Sequence, residues 1–101
     1  MRIGLKDGDY TFYITEGQLD DLINKGSKLE ETLLEQRFTL EPSANLRSTD
    51  GIDLSYNGSN LGNVEQIEIK VSLGVLERVR RGETAGTKYN RDNYLFICRD
   101  D

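Results

Sequence analysis

A short motif occurs twice in this chain, and it constrains the fold more than any other feature. Ile14-Thr15-Glu16-Gly17-Gln18-Leu19-Asp20-Asp21-Leu22 is echoed by Val71-Ser72-Leu73-Gly74-Val75-Leu76-Glu77-Arg78-Val79. Each copy has an apolar strand end, a hydroxyl residue, a glycine two positions on, an acid, and apolar residues at helical spacing. Gly26 and Gly82 close the two copies. A hydroxyl before a helical stripe accepts a hydrogen bond from the first unpaired helical N–H groups, and a glycine after it takes the left-handed stop. Two strand-to-helix junctions in 101 residues therefore define an α+β domain. Taken alone, the repetition is expected to be a common local solution to starting a helix after a strand, rather than an internal duplication.

The remaining elements follow from pattern. Arg2 to Lys6 and Tyr10 to Ile14 flank Asp7-Gly8-Asp9, a hairpin signal, because glycine takes positive φ at little cost. Thr15 with Gln18 three residues later forms a capping box for a helix over 16–25, with Leu19, Leu22 and Ile23 as its stripe. Residues 28–41 have helical propensity, yet Thr32, Leu34, Gln36, Phe38 and Leu40 keep period two. The segment reads as strand, broken near Glu35. Loops are expected at 42–51 and 82–92. Strands are expected at Ile52 to Tyr56, Val64 to Val71 and Tyr94 to Cys98, the last apolar on both faces as a central strand is. Asn57-Gly58-Ser59-Asn60-Leu61-Gly62 reads as a turn, and Ser72 caps a second helix over 73–81. The fold expected is a single domain, 1–101: an antiparallel or mixed sheet of about 5–6 strands with both helices packed on one face.

Charge and missing residues exclude several function classes. Thirteen bases against 18 acids give a net charge of −5. That balance argues against nucleic acid as a direct partner, since phosphate binding needs clustered positive charge. Histidine is absent, which removes Ser-His-Asp and Cys-His catalysis; with one cysteine, zinc has only carboxylates to bind. Cys98 cannot form an internal disulfide and reads as a buried small hydrophobe in a reducing, cytoplasmic setting. The N-terminus turns polar at once, without the apolar core of a leader, and no apolar run has the length of a membrane span. Asp50, Asp53, Asn57, Ser59 and Asn60 lack the spacing of a calcium loop. The Gly82–Lys88 segment fails the phosphate-loop pattern in both spacing and residue order. No catalytic residues, cofactor or metal are expected.

Two charged regions remain. Residues 16–41 hold seven acids and three bases. A solvated face accounts for most of them, and the rest can steer a basic partner. Here Asp20, Asp21, Glu30 and Glu31 are expected to dock, with an exposed Tyr13 as anchor. The opposite sign appears at 78–91, where Arg78, Arg80, Arg81, Lys88 and Arg91 outnumber Glu77 and Glu83, with Tyr89 alongside. These residues form the alternative site, suited to a phosphate, a nucleotide or a stretch of nucleic acid. The expected function is a small acidic cytosolic binding protein, not an enzyme, whose partner is a larger protein with a basic surface. Size and charge suggest an inhibitor, or an anti-defence or immunity-type factor of bacterial or phage origin, directed at a nucleic-acid-handling machine. A homodimer is compatible with the pattern.

Overall fold

The computed structural model describes residues 1–58 and 65–100. In chain order the elements are β1 (Arg2–Lys6), β2 (Asp9–Ile14), α1 (Glu16–Lys25), β3 (Leu29–Leu33), β4 (Gln36–Pro42), β5 (Ile52–Gly58), β6 (Glu65–Val71), α2 (Leu73–Arg80), β7 (Ala85–Lys88) and β8 (Tyr94–Arg99). Both helices start as the motif requires. Thr15 Oγ1 accepts from Gln18 N–H at 3.2 Å while Gln18 Oε1 accepts from Thr15 N–H at 3.1 Å. Ser72 Oγ accepts from Val75 N–H at 3.2 Å. Gly26 ends α1 in the left-handed region, at φ 65°. The strand expected at 28–41, broken near Glu35, is the β3–β4 hairpin. The turn expected at 57–62 lies largely outside the described residues.

The strands form two four-stranded mixed sheets, β1-β2-β8-β7 and β3-β4-β6-β5, instead of one sheet of five or six. Part of the loop expected at 82–92 is strand β7. Ala85-Gly86-Thr87-Lys88 has no apolar alternation of its own and is extended because β8 supplies a ladder for it. Gly86 lets the Phe96 ring lie against the backbone, where an added Cβ would stand 2.8 Å from Phe96 Cδ1.

The repetition reaches well beyond the helix starts. In each half a hairpin leads into a helix and a second hairpin follows, and each sheet takes one hairpin from each half. The central parallel pairs are β2 with β8 and β4 with β6, with Tyr10, Phe12 and Ile14 opposite Leu95, Ile97 and Arg99. Likewise Phe38, Leu40 and Pro42 lie opposite Ile67, Ile69 and Val71. The equivalence keeps constant spacing in the chain: 10 matches 67, 14 matches 71, 38 matches 95 and 42 matches 99. Even the strand exits match, since Ser43 N–H donates to Val71 O at 2.9 Å and Asp100 N–H to Ile14 O at 2.8 Å. Two equivalent ββαββ halves thus interlock, and the local explanation of the motif is too narrow.

One core lies between the sheets and under the helices, which pack on each other, α1 also onto β4 and α2 onto β7 and β8. Tyr10, Phe12, Ile14, Leu95 and Ile97 face Phe38, Leu40, Ile67, Ile69 and Val71, with Leu19, Leu22, Leu76 and Val79 from the helices. At the junction of the halves, Gly51 has φ 81°, and an added Cβ would lie 2.6 Å from Val75 Cγ2. Only glycine fits that approach of the loop to α2. Among the described residues no helix is long and apolar enough to cross a membrane.

Candidate functional site

The structure distributes the acids of 16–41 over two elements with different surroundings. On α1, Asp20 is held by Arg80 of α2 at 3.1 Å and Asp21 by Lys25 at 3.3 Å, so both carboxylates have cations in contact. Tyr13 is half-buried instead of exposed, because the Arg2 guanidinium covers its ring at 4.0 Å from the centroid. Cys98, expected to be buried, is also only half-buried, opposite Tyr13 in the β2–β8 ladder. Glu30 and Glu31 are exposed on β3, an edge strand of the second sheet. Glu31 pairs with buried Phe38 and therefore sits on the core side of that edge, where a charge opposes pairing with another strand.

The tip of the β3–β4 hairpin is the least expected feature in the molecule. Leu34 has φ 57° and is 75% exposed. A branched side chain in the left-handed region costs roughly 1–2 kcal/mol, and here burial of the side chain recovers little of it. The surrounding chain holds the tip in place. Glu65 N–H donates to Glu35 O at 3.1 Å, and Gln36 Nε2 donates to Glu65 Oε2 at 3.2 Å. The Tyr10 hydroxyl donates to Gln36 Oε1. A shallow depression lined by Tyr10, Leu34, Glu35, Gln36 and Glu65 results. An exposed leucine, held by these bonds, is thereby bordered by Glu35 and Glu65.

Tyr10 and Tyr56 both ionise above the ordinary phenol range: burial is the main cause, followed by the fields of neighbouring groups including Tyr89 and Glu65. Both hydroxyls are donors, Tyr56 to Tyr89 O at 3.1 Å, so the neutral form is the one the fold uses. An unfolded tyrosine loses its proton near 10, before the folded one does. The contribution of these two groups is therefore complete below pH 10 and declines as pH rises through their folded values. Absorbance titration at 295 nm is expected to show a late component that Tyr10→Phe reduces and does not abolish, because Tyr56 retains its share. Urea unfolding of that variant should lose less stability between pH 9 and 11 than the wild type does.

The basic segment does not act as one patch. Arg80 is engaged by Asp20 and, at 3.7 Å, by Glu77, while Arg81 lies 3.8 Å from Glu83. Arg78 is exposed on α2, and Arg91 is exposed in the β7–β8 connection. Lys88 and Tyr89 instead line an open cleft of about 720 Å³ between the loop before β5, the outer side of β5 and the end of β7. There they meet Arg47, Lys70 and Tyr56, none of which the residue pattern singled out. Asp53 and Asp50, which lack the spacing of a calcium loop, organise the loop. Asp53 accepts from Arg47 N–H at 2.7 Å and Ser48 N–H at 2.8 Å. Asp50 is held below the usual carboxylate range: burial pushes the other way, but donors from Thr87, Ile52 and Ser48 outweigh it. Ser59 and Asn60 lie outside the described residues.

Leu34, the centre of the hairpin site, was visible in sequence only as one apolar position of an alternating strand. The signal available was the unfavourable pair Leu34-Glu35 at a strand break, where a turn would ordinarily carry Gly or Asn. No protein-family model matches this chain, and neither a curated protein nor a solved structure matches it, so its own geometry carries the functional reading.

Proposed function

We propose that the chain is a protein-binding domain whose docking element is the β3–β4 hairpin, with Leu34 as apolar anchor, Glu35 and Glu65 beside it, and Glu30 and Glu31 on the adjoining strand. The observation that supports this reading is Leu34 itself: an exposed leucine, kept in a strained left-handed turn. Strain retained where glycine would relieve it points to a use for the side chain. Apolar anchors ringed by charge give affinity at the centre and steering at the rim. The partner is a larger protein with a basic surface around an apolar recess. Basic surfaces of that kind hold nucleic-acid phosphates, and an acidic hairpin seated on one excludes them, so the domain acts as an inhibitor. The tip is already tied down by Gln36, Glu65 and Tyr10, so little ordering entropy is lost on docking.

A single substitution tests the reading, because it moves stability and binding in opposite directions. Leu34→Gly removes the strain and is expected to stabilise the fold by about 1 kcal/mol, seen as a higher melting temperature. The same change should abolish capture of the partner in a tagged pull-down from bacterial lysate. Glu30→Lys/Glu31→Lys should do the same, whereas Arg78→Ala should leave capture intact. A partner retained by Leu34→Gly and by the charge reversal would eliminate the hairpin as the docking element.

A further inference from the structure

The cleft beside β5 has no part in hairpin docking, and it collects cations in a chain that is acidic overall. Arg47 comes from the loop before β5, Lys70 from β6 and Lys88 from the end of β7. None of the three forms an ion pair among the described residues, although acids are close; Lys88 Nζ lies 5.8 Å from the centroid of the Tyr94 ring. Asp53 lies opposite Lys70 in the β5–β6 ladder, but both its oxygens accept backbone N–H groups of the loop. Asp50 is likewise occupied by donors from Ile52 and Thr87. Both carboxylates fix the cleft wall through backbone donors and keep their charge, so the three cations exceed the acids of the lining, where Asp53 stands alone. Asn45, Ser48 and Ser55 add neutral donors along the same wall.

The other wall is aromatic. Tyr56 is 49% exposed, with its ring fixed by the bond from its hydroxyl to Tyr89 O. Tyr89 is anchored in turn by its own hydroxyl, which donates to Gly8 O at 2.7 Å, and by its ring against Tyr10. A held aromatic face beside three cations that outnumber the single acid of the lining matches a ligand with a planar ring at one end and a dianion at the other. We propose that this cleft binds a nucleotide-sized phosphate monoester, its phosphate among Arg47, Lys70 and Lys88 and its base on Tyr56. A volume of about 720 Å³ is within the range of small-molecule sites. The acidic remainder of the chain slows approach of an anion, so binding is salt-sensitive and weaker than the local charge alone implies.

Calorimetric titration of the full chain with AMP, with adenosine and with inorganic phosphate tests the assignment. AMP is expected to bind saturably, at least about tenfold more tightly than either phosphate or adenosine alone. Lys70→Gln and Arg47→Gln should each weaken AMP by about tenfold, while Tyr56→Leu weakens AMP but not phosphate. These side chains are at the surface, and an unchanged melting temperature will verify that the variants fold. Arg81→Gln, outside the cleft, should bind as the wild type does. Absence of saturable AMP binding up to ~10 mM overturns the proposal. So does phosphate binding as tightly as AMP, or equal weakening by Arg81→Gln. Leu34→Gly should leave AMP binding unaltered, which separates this site from the docking hairpin.

Discussion

Phe38→Ala is expected to destabilise the fold by about 3–5 kcal/mol, the largest loss from any single side chain. Phe38 is fully buried on β4, and its ring lies 5.1 Å from both Tyr10 and Phe12 of the opposite sheet. Truncation removes most of the ring's apolar area from the interior and leaves a cavity that two β-sheets cannot collapse to fill. Loss of the tilted and edge-on ring contacts adds to this, at about 0.5–1.5 kcal/mol per pair. A domain of this size typically has 5–15 kcal/mol of stability in all, so the variant should melt about 20 °C lower or be unfolded at 37 °C. Guanidinium unfolding gives the number directly. A double-mutant cycle with Phe12→Leu and Phe38→Leu should show coupling near 1 kcal/mol, since the two rings meet across the sheets. Coupling near zero, or a loss below about 1 kcal/mol for Phe38→Ala, would mean that the sheets do not face each other as described.

Phe38 also marks where sequence reasoning succeeds and where it stops. Its burial was readable from the alternation through Phe38 and Leu40, as were both helix caps, the stop at Gly26 and the break near Glu35, because each is a local hydrogen-bonding or periodicity rule. Nothing local says that β2 pairs with β8 and β4 with β6. Parallel partners are joined through long connections, and their register is set by which apolar faces meet. One sheet was therefore expected where two exist. Strand β7 was invisible for a related reason, since Ala85-Gly86-Thr87-Lys88 is extended only because β8 is beside it. The cleft cations Arg47, Lys70 and Lys88 lie on three separated elements, so their convergence is a property of topology. The doublet Glu30-Glu31 was found, but its place at a sheet edge beside a strained Leu34 was not.

Separating the halves should remove all native structure, and recombining them should restore it. The cut falls between Asn45 and Leu46, so that 1–45 carries β1 to β4 with α1, and 46–101 carries β5 to β8 with α2. Each piece then holds one hairpin of each sheet, and both central parallel ladders are lost, because β2–β8 and β4–β6 each cross between the pieces. An isolated two-stranded hairpin is marginal in water, and the inner faces of Phe12 and Phe38, or of Ile69 and Ile97, would be bare. Circular dichroism of either piece alone should show no cooperative melting. A mixture should regain the spectrum of the whole chain and a transition that rises with concentration. The halves are equivalent in topology, but side-chain volume opposes pairing of one piece with itself. Tyr10, Phe12 and Phe38 of the first half stand where the second half has Ile67, Ile69 and Leu95, so large rings are matched to smaller aliphatic groups. Self-pairing of 1–45 would place rings against rings in the same space, and overpacking of that kind costs about 1–3 kcal/mol for each excess group. Self-pairing of 46–101 would leave voids instead. The mixture should therefore form one-to-one pairs by analytical ultracentrifugation; cooperative melting of 1–45 by itself would show that one half is already a complete folding unit.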